Sequence, residues 1–199
     1  MTTTTTDRKM INDNDSLDQT ARGAMGALRL MVDALNCDYD RLEELRSERG
    51  NLQDEVDAIA KSADIDDDAQ ATIDALAEWD VEYAAELAEL ESAANGTGNE
   101  CASRDDAEQQ IHEDPLSLEL RTGWYTPGRD ADTAPAQFRL LLTTGGPAVQ
   151  IIGDLDEHGQ PSNPRLEVQD WGTPWTVAWL TAEDKAALQT YCEQFCFEV

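Results

Sequence analysis

The sequence predicts an α+β protein. An N-terminal antiparallel helical hairpin of coiled-coil type should precede a small antiparallel β-sheet domain with a C-terminal helix. Three observations predict this. Apolar residues recur at alternating steps of three and four from Leu28 to Ile59, and again from Ile65 to Leu90. Short segments of period two, separated by Gly and Pro, fill Leu116 to Trp171. A last helical pattern follows Thr181-Ala-Glu-Asp184.

The threonine-rich start, residues 1–15, reads as a flexible tail without the apolar stretch of a signal peptide. Residues 16–94 read as the acidic hairpin. Its first helix should start between Ser16 and Thr20 and run unbroken to Lys61. The seam is Leu28, Met31, Leu35, Asp38, Leu42, Leu45, Arg49, Leu52, Val56 and Ile59. Gly23, Gly26 and Gly50 weaken this helix locally. Ser62 to Asp68 breaks the pattern, because Asp favours turns and helix starts. A second helix should follow from about Asp67 to Ala93, seamed by Ala69, Ile73, Leu76, Trp79, Tyr83, Leu87 and Leu90. The short connection makes the two helices antiparallel neighbours. Helix one is the longer, so its N-terminal part needs another partner, for which a second copy in a homodimer is the expectation.

Residues 95–115 read as a linker, opened by Asn95-Gly96-Thr97-Gly98-Asn99, with a short helix from Ser103 that Pro115 ends. Residues 116–199 form the predicted α+β domain. Leu116, Leu118 and Leu120 alternate with polar residues, as in a strand with one buried face. Gly123 to Pro135 is a loop. Gln137–Thr144 and Ala148–Leu155 flank Gly145-Gly146-Pro147 and form a hairpin. Asp156 to Pro164 is a turn, and Arg165–Trp171 is a fourth strand. A final helix carries Ala187, Leu188, Tyr191 and Phe195 on one face.

Charge limits function more than any motif does. The chain has 42 Asp and Glu against 14 Lys and Arg, a formal charge of -28. Such a charge repels nucleic acid and anionic membrane, so direct binding to either is not expected. No apolar run is long enough to span a bilayer. A partner should be basic. Because 40% of residues are hydrophobic and periodically placed, the chain can still bury a core.

Asp74, Glu78, Glu82 and Glu86 recur every fourth residue, with Glu89 near the same row. Like charges at this spacing destabilise an isolated helix. No Lys or Arg lies between Lys61 and Arg104 to offset them. Four helical residues advance about 6 Å, close to the spacing of phosphates along one strand. The row can therefore stand in for phosphates on a basic protein; a solvated helix face explains it equally without a partner. Trp171 and Trp175, in Trp171-Gly-Thr-Pro-Trp175, are the aromatic candidates for a contact, with Trp179 and Trp124 nearby in sequence. Rings covering a small sheet are the simpler account.

Other chemistry has little support. Asp64, Asp66 and Asp68 fit the start of a calcium loop, but Ala69 and Ala75 stand where Gly and a bidentate Glu are required. The cysteines, Cys37, Cys101, Cys192 and Cys196, have irregular spacings, and His112 and His158 are the two histidines. Reduced thiols with no metal and no cofactor are expected. Gly-x-Ser-x-Gly, the P-loop and Gly-x-Gly-x-x-Gly are absent, so no catalytic residue is proposed and an enzyme is not expected.

Gly145-Gly-Pro-Ala-Val-Gln-Ile-Ile-Gly-Asp-Leu-Asp-Glu-His-Gly159, followed by Gln169-Asp-Trp-Gly-Thr-Pro-Trp-Thr176, resembles a module of small uncharacterised proteins from bacteriophages and other mobile elements. The resemblance covers the last third to two fifths of the chain. It implies a bacterial host cytoplasm and carries over no activity. In charge alone the chain is similar to DNA-mimicking antirestriction and anti-CRISPR proteins. Together these lead to an acidic inhibitor that occupies the basic surface of a host nucleic-acid-binding protein or nuclease complex. The alternative is a coiled-coil structural or assembly protein of a phage or plasmid.

Overall fold

A computed structural model describes residues 5–61, 67–124 and 134–197, with side chains from residue 16 onward. The chain forms two compact units. One is Asp33–Asp106; the other combines Met1–Val32 with Ala107–Val199.

The first helix, α1 (Thr5–Leu35), begins inside the stretch read as a tail. Once a helix is nucleated, each further residue adds at little cost. The continuous helix expected to Lys61 does not form. The chain leaves α1 after Leu35 and re-enters helix as α2 (Tyr39–Lys61). The cause is Asp38, read from sequence as a polar member of the seam. Its Oδ1 accepts the backbone N–H of Arg41 at 3.0 Å, an N-cap that starts a new helix. The Tyr39 hydroxyl donates to the carbonyl of Ala34 at 3.0 Å, so the capped turn also satisfies the end of α1.

Helix α3 (Asp67–Ala94) packs on α2, and the two make the predicted hairpin. Pairing runs in opposite directions. Cys37 Sγ reaches the carbonyl of Leu90, Arg41 meets Glu86, and Arg49 meets Asp80, so the α3 partner falls as the earlier position rises. Leu42, Leu45, Trp79, Leu87 and Ala94 form the buried core, flanked by half-buried Leu52, Tyr83 and Leu90. Each fully buried Leu contributes about 1.5–3 kcal/mol. Toward the hinge, Val56, Ile59, Ile73 and Leu76 are half-buried, so the seam thins there. The hinge residues 62–66, including Asp64, Ile65 and Asp66, lie outside the described residues.

After α3 the Asn95–Asn99 segment turns back, with Gly98 in the left-handed region, and the Cys101 N–H donates to the carbonyl of Ala94 at 2.9 Å. Helix α4 (Arg104–Glu113) starts as expected. Ser103 Oγ accepts the Asp106 N–H, and Asp106 Oδ2 accepts the Ala102 N–H.

The sheet is five-stranded and antiparallel, in the order β1 (Ser117–Thr122), β2 (Pro135–Thr143), β3 (Ala148–Leu155), β4 (Pro161–Gln169) and β5 (Thr176–Val177). Strand β4 starts at Pro161, inside the predicted turn, and ends before Trp171. Two-residue β5 carries no period-two signal and was not foreseen. Period two places Leu120, Phe138, Leu140, Ile151, Leu166 and Val168 on one face. That face is the core with Leu188, Tyr191 and Cys192 of the last helix, α5 (Ala182–Cys192). Gly153 is opposite Phe138, where a Cβ would come within 2.4 Å of the ring, so glycine makes room for this aromatic. Helix α5 opens with the predicted capping box between Thr181 and Asp184. Residues 125–133, most of the predicted β1–β2 loop, lie outside the described residues.

Leu17, Ala21, Met25, Leu28 and Val32 of α1 are buried within the single chain. They belong to the same unit as the sheet, and Arg29 pairs with Asp184 at 2.5 Å. The apolar face assigned to a homodimer is therefore already covered by this chain.

Candidate functional site

Acid is unevenly distributed between the units. Residues 33–106 hold 23 Asp and Glu against 5 Lys and Arg, a charge of -18; the rest of the chain holds 19 against 9, a charge of -10. In the acidic unit every described carboxylate except that of Asp80 is exposed.

Asp74, Glu78, Glu82, Glu86 and Glu89 are all exposed on α3. They do not form one straight row. A helical residue turns about 100°, so each step of four drifts about 40° and the row from 74 to 86 winds about 120°. Glu86 ends the row beside α2, where Arg41 binds both its oxygens, at 2.9 and 3.2 Å. The Arg41 hydrogen bonds hold the Glu86 carboxyl below the usual carboxylate range. Asp74 accepts from Gln70 one turn earlier. Helix α3 has no counter-charge of its own, but α2 supplies some across the hairpin. Arg46 reaches Glu91 and Glu100, and Arg49 reaches Asp80. These arginines are 31 to 54 residues from their partners, so only the folded pairing reveals them. Among the sequence-selected acids, Asp74, Glu78, Glu82 and Glu89 have no ion pair with the described residues.

The tryptophans belong to the other unit and do not form one patch. Trp171 sits on a turn fixed by Thr173, whose N–H and hydroxyl both donate to the Asp170 carbonyl, and by Gly172 in the left-handed region. Its ring is exposed and lies against Gly146, where a Cβ would come within 2.0 Å of it. Trp175 is half-buried. Trp179 is exposed, and so is Trp124, which lies at the opposite end of the sheet from Trp171.

The sheet face away from the core gathers residues that sequence reasoning did not select. Glu119, Arg139, Ile152 and Arg165 form one cross-strand row; Arg121, Gln137 and Asp154 form part of the next. Arg139 bonds Glu119, and Arg121 donates to Gln137 Oε1. The other carboxylates on this face are held by amides: Gln137 Nε2 donates to Asp154 at 2.9 Å and Gln150 Nε2 to Glu167 at 2.8 Å. A cavity of about 500 Å³ opens above Ile152, bordered by all three arginines. Gln150 lines it, is 5% exposed, and has no hydrogen-bond partner for Oε1 among the described residues. A buried unsatisfied acceptor costs about 1–3 kcal/mol. Strand parity was the available signal, since each arginine alternates with core positions.

All four cysteines are free thiols. Burial pushes the Cys37, Cys101 and Cys192 thiols up, away from the reactive thiolate. Among the described residues, no group of three His, Cys, Asp or Glu is placed to hold a metal ion, and no helix is long and apolar enough to cross a membrane. Comparison with protein-family models, with curated proteins and with solved structures found no match.

Proposed function

We propose that this chain is an acidic protein-binding inhibitor of phage or mobile-element origin. It would occupy the basic nucleic-acid-binding surface of a host defence complex, of the anti-CRISPR or antirestriction kind, without turnover. The observation that carries this reading is the concentration of charge: -18 in residues 33–106, with nearly every described carboxylate exposed. A surface of one sign steers an oppositely charged partner and raises its association rate. The winding of the α3 row supports a broad acidic body more than a ruler of phosphate spacing. Covering of the α1 face within one chain removes the main motive for the assembly alternative.

The test replaces Asp74, Glu78, Glu82 and Glu89 together by Gln. Glu86 stays, because Arg41 holds it. Gln keeps helix propensity and relieves repulsion, so melting should not fall. Protection of a phage or plasmid from host nuclease attack should drop by about tenfold or more at equal expression. Equal protection would mean that these four acids only solvate the helix.

A further inference from the structure

We propose that the open face of the sheet binds a small nucleoside phosphate, with the phosphate on Arg121 and Arg165 and the base on Trp124. The cavity above Ile152, about 500 Å³, is of the size that small-molecule sites occupy. Among the described residues Arg121 and Arg165 have no carboxylate partner, in a chain where acids outnumber bases threefold. The glutamines explain this, because their amides take Asp154 and Glu167. Guanidinium groups left without carboxylates recognise phosphate through paired N–H donors.

A second hollow, also about 500 Å³, adjoins the first through Arg121 and Gln137 and is bordered by Trp124. The Trp124 ring is fully exposed. A bare aromatic face beside guanidinium groups is a stacking platform for a base. Gln150 adds a polar requirement. Its Nε2 must face the Glu167 carboxylate, which only accepts, so its Oε1 is left needing a donor. A ribose hydroxyl in the cavity supplies one after a small rotation of the amide. The ligand is small because the formal charge of -28 repels an extended polyanion, whereas a single phosphate meets mainly the local guanidinium field.

The full chain is titrated with AMP, GMP, CMP and UMP at low salt, by calorimetry and by quenching of tryptophan fluorescence. Inorganic phosphate, ribose 5-phosphate, adenosine and a short single-stranded oligonucleotide are the comparison probes. At least one mononucleotide should saturate the protein, about tenfold more tightly than ribose 5-phosphate or adenosine. Arg165 is exposed and has no ion pair among the described residues, so Arg165→Ala should fold normally and weaken that binding about tenfold, with Arg165→Lys between it and wild type. Trp124→Ala should weaken the mononucleotide and leave ribose 5-phosphate unchanged. No saturable mononucleotide binding at millimolar concentration, an Arg165→Ala variant that binds like wild type, or tighter binding of the oligonucleotide would each overturn the proposal.

Discussion

Half-buried Asp114 and buried Tyr191 show how one pair ties stability to pH. The Tyr191 hydroxyl donates to Asp114 Oδ2 at 2.6 Å beneath α5. Burial raises the Asp114 carboxyl above its ordinary value and outweighs the hydrogen bond, which lowers it. The folded chain therefore binds more protons than the unfolded chain just above the ordinary carboxylate range. The stability from this group is fully present below that range and is lost as pH rises through the raised value. Asp114→Asn keeps an acceptor for Tyr191 and cannot ionise. It should melt above wild type at neutral pH, and the gap should close as pH falls toward about 4. The other carboxylates are common to both proteins and cancel in this difference. Melting curves across that range check it: a gap that does not move with pH would mean that the Asp114 carboxylate carries no burial penalty. The pairing itself was not legible in sequence, because 77 residues separate the two groups. The Thr181 capping box was, because its partners lie three residues apart.

At the scale of elements, the hairpin makes a sharper claim than its periodicity alone. Leu45 has no exposed surface, whereas Val81 on α3 is 89% exposed. Leu45→Asp places an unpaired charge in the seam and should cost about 3 kcal/mol or more. Val81→Asp adds the same charge to the same hairpin and should stay within about 0.5 kcal/mol, apart from helix propensity. Chemical denaturation of both variants checks the contrast, and similar losses would mean that the seam is not the hairpin core. Periodicity made the hairpin, the β2–β3 turn and α5 legible, since each rests on neighbours a few residues apart. It also misled: the three-four pattern runs through residues 36–38 without a slip, although Asp38 caps a new helix there. A cap and a polar seam position are the same letter until hydrogen bonds are seen. The homodimer expected for α1 rested on an apolar face, and such a face does not say what covers it; much of it is buried within this chain. The arginine face of the sheet stayed hidden because it depends on the register of four strands at once.

For the molecule as a whole, two electrostatic effects compete, and salt weakens both. Arg41, Arg46 and Arg49 hold α2 to acids of α3 and of the segment beyond it, which favours the fold. Against them stands the surplus of 18 negative charges in residues 33–106, which opposes compaction. Exposed ion pairs contribute little, while repulsion acts among all the exposed carboxylates. Repulsion should win, so screening should stabilise the fold. Raising NaCl from about 0.1 M to about 1 M shortens the screening length from about 10 Å to about 3 Å. The melting temperature should then rise by roughly 3 °C or more, a shift of about 1 kcal/mol in a chain of this size. The variant with Gln at 74, 78, 82 and 89 should gain less, because four of the repelling charges are gone. Partner capture by the acidic surface should respond in the opposite sense, weakening over the same salt range. Thermal melts and partner binding, measured side by side in the same buffers, separate the roles of the charge. A melting temperature that falls with salt would mean that the arginine bridges dominate the hairpin. Capture that persists at about 1 M NaCl would place recognition in non-ionic contacts, and the acidic body would no longer explain it.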